Sequence, residues 1–250
     1  MPPSAITSLH PYTKGCEART HPPVAWPRIL DVVSSDPRAV LVPVADRPEA
    51  DLAVLVLHGG SSDSFEPVAR TSLAAARLIP VAWAIARGPE RPAVYRLRNS
   101  VRGWNGDGRA VLDDARTAIE TISRTSTRRP DRPIVLVGHS LGGRVAFRLA
   151  GPAGATAVIG AVGLAPWAVE QDPVDHLDGV PLAVVQGTAD RTIPEPTTRP
   201  WLARAAAAGA ELDETVIDGG DHTMLRGWRR WHTATTAGVS WVRHAAARTR

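Results

Sequence analysis

A serine with glycine two positions to either side stands in the run Gly138-His139-Ser140-Leu141-Gly142-Gly143. Chance alone gives Gly-x-Ser-x-Gly in roughly one chain in ten of this length and composition, so the pattern draws its weight from its surroundings. It follows the apolar run Ile134-Val135-Leu136-Val137 and precedes a helical run from Arg144 to Ala150. A serine at such a strand-to-helix turn is held in an unfavourable backbone conformation, and the two glycines remove the side chains that would collide. The helix that begins beyond it aims its first free amide, that of Leu141, at the place where negative charge develops when a hydroxyl attacks a carbonyl. The chemistry that fits is nucleophilic, with acylation of Ser140 and release by water. The bland alternative is a passive serine in a glycine-rich turn.

The elements that would carry this group show as an alternation. Short apolar runs at 39–44, 52–57, 93–98, 133–138, 157–164, 181–187 and 211–217 alternate with helical patterns at 66–87, 107–124, 141–150, 197–208 and 224–246. Such alternation predicts a mostly parallel sheet with helices on both faces, a single doubly wound α/β domain over 29–250. A chain of 250 residues accommodates one such domain and is short for two. Residues 1–28 carry Pro2, Pro3, Pro11, Pro22, Pro23 and Pro27 with no sustained period and read as an extended N-terminal arm.

A second element of the same chemistry is His58-Gly59-Gly60, which closes the run 52–57 and leads through Ser61, Ser62, Asp63 and Ser64 toward the next helix. With this element one strand-helix-strand unit and a further strand ahead of Ser140, the chain resembles the α/β-hydrolase family over roughly 39–250. The resemblance implies that Gly60 or Ser61 supplies an amide which, with that of Leu141, forms an oxyanion hole. His58 itself reads as a structural hydrogen-bonding residue. The resemblance also implies that the acid and the base follow the serine in that order. Of the later histidines, His232 and His244 lie in an apolar-periodic helical segment. His222 sits in the turn Gly219-Gly220-Asp221-His222 between a strand and the last helix, where a rigid sheet presents catalytic groups, and is the expected base. The acid is expected at Asp190, in Thr188-Ala189-Asp190-Arg191-Thr192-Ile193-Pro194, which is similar to the family's acid turn. Asp218 and Asp221 are the competitors, and adjacent residues on an extended turn point apart, which counts against Asp221.

The span from Leu164 to Val180 is too short for the helical cap that many family members insert, so the loop 166–178 would cover an open cleft only in part. An open cleft and a serine nucleophile imply hydrolysis of a small ester or thioester through an acyl-enzyme intermediate. Ser61, Trp104 and Trp167 are candidate substrate contacts, although either tryptophan could equally anchor its loop. Amide cleavage and cofactor-free halide peroxidation use the same triad. A non-catalytic binding protein on this fold normally lacks a triad member.

Composition narrows the partners. The hydrophobic fraction is 44% and the charged fraction 22%, ordinary globular values. The formal charge is only +4, and Lys14 is the only lysine, so the isoelectric point of about 10.1 reflects guanidinium groups that do not titrate. Arginine is scattered between acids; even Arg226, Arg229 and Arg230, interleaved with Trp228 and Trp231, make a short cluster, and no nucleic-acid partner is expected. Cys16 is the only cysteine, which excludes an intramolecular disulfide and a cysteine-based metal site and fits a reducing, cytoplasmic setting. No apolar stretch suits secretion or membrane insertion, no metal or organic cofactor is implied, and nothing in the sequence sets an oligomeric state.

Overall fold

The apolar runs form strands because Val, Ile and Leu fill a pleated surface buried on both sides. In the computed structural model, which describes residues 30–31, 38–127, 131–152 and 157–248, the strands are β1 (Leu30–Asp31), β2 (Val40–Ala45), β3 (Ala53–Leu57), β4 (Ala93–Arg98), β5 (Ile134–His139), β6 (Val158–Leu164), β7 (Pro181–Gly187) and β8 (Glu211–Ile217). Every residue of β3, β5, β6 and β7 is buried. The N-terminal arm expected at 1–28 lies outside the described residues.

Among the described residues the strands make one sheet in the order β1-β2-β4-β3-β5-β6-β7-β8. The pairs β1–β2 and β2–β4 are antiparallel, and all others are parallel. Leu57 is in register with Gly138 and Gly187 with Ile217. The turns leaving β3, β5, β7 and β8 therefore emerge along one edge, the carboxyl edge, where ligands of such sheets bind.

The helices are α1 (Leu73–Ala76), α2 (Leu78–Arg87), α3 (Arg109–Arg124), α4 (Leu141–Leu149), α5 (Glu195–Ala207) and α6 (Trp228–Arg248). One core joins α3, α4 and α5 to a sheet face through Ile119, Phe147, Trp201, Leu55 and Leu136. The other joins α2 and α6 to the opposite face through Ile85, Trp231, Val239, Val54 and Val137. Trp201 and Trp231 are wholly buried, and each contributes roughly 3 kcal/mol by leaving water.

Two helix boundaries differ from expectation. The helix expected over 66–87 begins only at Leu73 and is broken at Arg77, because Pro80 has no N–H to offer the carbonyl of Ala76. Residues 66–72 instead run beside the loop after β4, with Pro67 bridged to Val101. The helix expected from 224 begins at Trp228, since Met224 (φ 60) and Gly227 (φ 67) stand in the left-handed region and form a turn.

Candidate active site

Ser140 joins β5 to α4 with φ 54 and ψ −117, a conformation that a non-glycine residue holds only when its surroundings over-determine it. Its amide donates to the Leu164 carbonyl (3.0 Å), and its carbonyl accepts from Gly143 (2.9 Å) and Trp167 (3.0 Å). The turn is also closed by contact. A Cβ on Gly138 would lie 2.0 Å from the Gly142 carbonyl oxygen, and one on Gly142 would lie 2.3 Å from that of Leu57.

Of the two amides expected opposite Leu141, that of Ser61 is taken by the Arg102 carbonyl (3.0 Å), which leaves Gly60. A Cβ on Gly60 would sit 3.1 Å from Leu141 Cδ1 and 2.1 Å from the Arg102 carbonyl oxygen, so the loop after β3 packs directly on the start of α4. His58 fixes that loop. Its Nε2 accepts from the Asn99 amide (3.1 Å), so Nδ1 carries the proton and donates to the Gly59 carbonyl (2.6 Å). Burial lowers its pKa, and with both nitrogens engaged it is a structural residue.

Asp190 and His222 leave β7 and β8 on separate loops and meet: Nδ1 of His222 donates to Asp190 Oδ2 at 2.8 Å. The other carboxylate oxygen accepts from the amides of Thr192 and Ile193, each at 2.9 Å. Burial works to raise the Asp190 pKa, but the hydrogen bonds from His222, Ile193 and Thr192 outweigh it and hold the group below the usual carboxylate range. The competing carboxylates serve their own turns. Asp221 accepts from the Thr223 hydroxyl and the Arg226 amide, and Asp218 from the Thr188 hydroxyl. On α6, His232 packs on Trp228 (5.2 Å between ring centroids) and His244 bonds the Ser240 carbonyl. Among the described residues no direct hydrogen bond closes between the Ser140 hydroxyl and His222. The contact between the elbow and the His222 loop runs through His139, whose Nε2 lies 2.8 Å from the His222 carbonyl oxygen. His139 carries no motif of its own in the sequence. Its place beside Ser140 was a signal, but its partner lies 83 positions on.

A model described as the alpha/beta hydrolase family matches residues 54–181, just over half of the chain. The chain belongs to the α/β-hydrolase family. The match spans β3 to the start of β7, so it includes the His58-Gly59-Gly60 loop and the elbow and ends before Asp190 and His222. No curated protein matches this hydrolase by sequence. Among solved structures, the hydrolase is similar to XC6422 of Xanthomonas campestris, described as a serine hydrolase without lid, at 19% identity and TM-score 0.64, covering 86% of this chain and 94% of that one. MGS-M1, an alpha/beta hydrolase from a Medee basin deep-sea metagenome library, gives 16% identity and TM-score 0.66 over 88% and 98% of the two chains. The propionate-bound esterase Est2 of Thermogutta terrifontis gives 16% and 0.64 over 89% and 96%. Likeness at these identities shows the fold.

The hydrolase's two candidate aromatic contacts divide. Trp104 is 3% exposed, with the Arg144 guanidinium 3.9 Å above its ring. It anchors its loop and offers no free face, which corrects its expected place as a substrate contact. Trp167 is half-buried beside the elbow, with Arg144 4.6 Å from its ring centroid. Arg144 also chelates buried Asp172 through Nε and Nη2 (2.7 and 2.8 Å), and Arg148 adds a bond at 3.4 Å. This clamp pins the loop 166–178. Ser61 is partly exposed and lines a cleft of about 750 Å³ bounded by Gly60, Pro67, Val68, Leu73 and the Arg102–Glu66 ion pair. The short helix α1, which buries none of its residues, forms part of the wall. Among the described residues no helix is long and apolar enough to cross a membrane, and no three His, Cys, Asp or Glu residues are grouped to hold a metal.

Proposed function

We propose that this α/β-hydrolase cleaves a small ester or thioester through an acyl-enzyme on Ser140. The observation that carries the proposal is the 2.8 Å bond from His222 Nδ1 to Asp190, because a carboxylate on Nδ1 leaves Nε2 as the free nitrogen and stabilises the imidazolium that forms. In this reading Ser140 Oγ attacks the carbonyl carbon while His222 Nε2 takes the hydroxyl proton. The amides of Gly60 and Leu141 hold the oxyanion. The bond to the leaving group breaks, and the alcohol or thiol departs with the proton from His222. Water, deprotonated by the same nitrogen, then attacks the acyl carbon, and Ser140 recovers its proton as the acid leaves. Asp190 stays ionised throughout, consistent with its lowered pKa. Ser61, which lines the cleft beside Gly60, and Trp167, which lies against the elbow, are proposed to contact the substrate. A lone cysteine, Cys16, fits a reducing setting, and the cytoplasm is the proposed location.

Turnover of p-nitrophenyl esters and of a thioester, with labelling by a fluorophosphonate probe, tests the assignment. Ser140→Ala should abolish labelling and lower kcat by about 10⁴- to 10⁶-fold with the circular dichroism spectrum unchanged. Labelling that survives this substitution overturns it.

A further inference from the structure

His139 belongs to the Gly-x-Ser-x-Gly run, yet the chemistry above makes no use of it. Its ring is 1% exposed and lies between the loop that carries His222 and the loop that carries Gly60. On one side Nε2 is 2.8 Å from the His222 carbonyl oxygen. A carbonyl only accepts, so Nε2 bears the proton and donates. The two imidazoles lie 4.8 Å apart between centroids, tilted by 47°. On the other side Nδ1 faces Gly59, where a Cβ would come within 3.0 Å of it.

Because the proton is on Nε2, Nδ1 is a bare acceptor, and it is buried without a hydrogen-bond partner among the described residues. An orphaned buried acceptor destabilises the fold. A phenyl ring would fill the same space without that penalty, so packing alone does not account for an imidazole here. What only the imidazole supplies is the donor to the His222 carbonyl. Burial first, and then the neighbouring His222, press the His139 pKa down to about 3, so the ring stays neutral near pH 7. The other charged groups that bear on it are Arg77 and Asp190.

We propose that His139 is a positioning residue that fixes the main chain of His222, and thereby the alignment of its imidazole between Asp190 and Ser140. The proposal rests on the reading of Ser140 and His222 as nucleophile and base. A base held less firmly would make a poorer bond to Asp190, and the support that a carboxylate gives the protonated ring would weaken.

The test compares His139→Phe, which keeps a ring and removes the donor, with His139→Gln, whose carboxamide can donate. Measured on purified protein are kcat, KM, the pH profile of kcat/KM and the thermal midpoint. His139→Phe should lower kcat by about 10- to 100-fold, the scale of a small misplacement of a reacting group. KM should change little, the acidic limb of the profile should move to lower pH, and the thermal midpoint should hold or rise. His139→Gln should recover most of kcat and return the limb toward its original place. Should the phenyl variant fail to fold, His139→Met fills the space without a donor and takes its place. Full kcat with an unmoved limb, beside inactive Ser140→Ala and His222→Ala, overturns the positioning role alone. Labelling that survives Ser140→Ala overturns the underlying reading, and this proposal with it.

Discussion

Asp221 precedes His222 in the chain, but Asp190 reaches it across the edge of the sheet, and the hydrogen bonds divide their work. Asp190 accepts from the imidazole, whereas Asp221 accepts from the Thr223 hydroxyl and the Arg226 amide and shapes the turn into α6. Asp190→Asn should therefore lower kcat by about 10⁴-fold by disturbing the imidazole tautomer. Asp221→Asn should leave kcat within an order of magnitude and cost about 1 kcal/mol of stability. Steady-state kinetics and urea unfolding of the pair separate these outcomes, and the reverse ranking would move the acid to Asp221. Ser140 stands out in the sequence by its glycine-flanked turn after a buried strand, whereas Asp190 and His222 were reached through the order and the acid turn that the family resemblance implies. His139 was not legible, since what defines it is a contact made across the fold with His222, and for Trp104 the choice between loop anchor and substrate contact, left open by the sequence, is decided by its burial under Arg144.

Every strand but the two-residue β1, and most helices, were legible, because an apolar run or a 3.6-residue period is written locally. The failure at 66–72 is also physical. Its residues are mostly exposed and its conformation is set by pairing with the loop after β4, so no periodic pattern marks it. The pinned loop 166–178 was expected as a connection of modest length, but not its clamp. Asp172 and Arg144 are 5% and 11% exposed at their side chains. Removing one partner from a buried pair strands the other charge, at about 3–5 kcal/mol. Asp172→Ala should lose stability on that scale in urea or thermal unfolding. A loss below about 1 kcal/mol, the value of a surface pair, would mean that the clamp is solvated.

At the scale of the whole molecule the buried histidines govern the response to acid. His58 and His139 have pKa values lowered by burial, His139 from 6.5 to about 3. The unfolded chain binds protons that the folded chain refuses, so their stabilisation is full above pH 6.5 and is lost as the pH falls, for His139 toward about 3. Near pH 5 the loss from His139 alone is about 2 kcal/mol. Asp190 and Asp221, whose pKa values lie below the usual 3.8, add their losses only in stronger acid. Urea midpoints should therefore drop between pH 7 and pH 5, and His139→Phe should flatten part of that slope. A midpoint constant over this range counts against neutral, buried imidazoles.

Stability is also unevenly spread, for the cleft is walled on one side by α1, which contributes no residue to either core. A segment with so few apolar anchors opens locally long before the sheet does. Exposed Arg70 lies just before it and Arg77 caps its far end, so within the described residues a brief digestion with trypsin would cut first beside the cleft and leave the two cores whole.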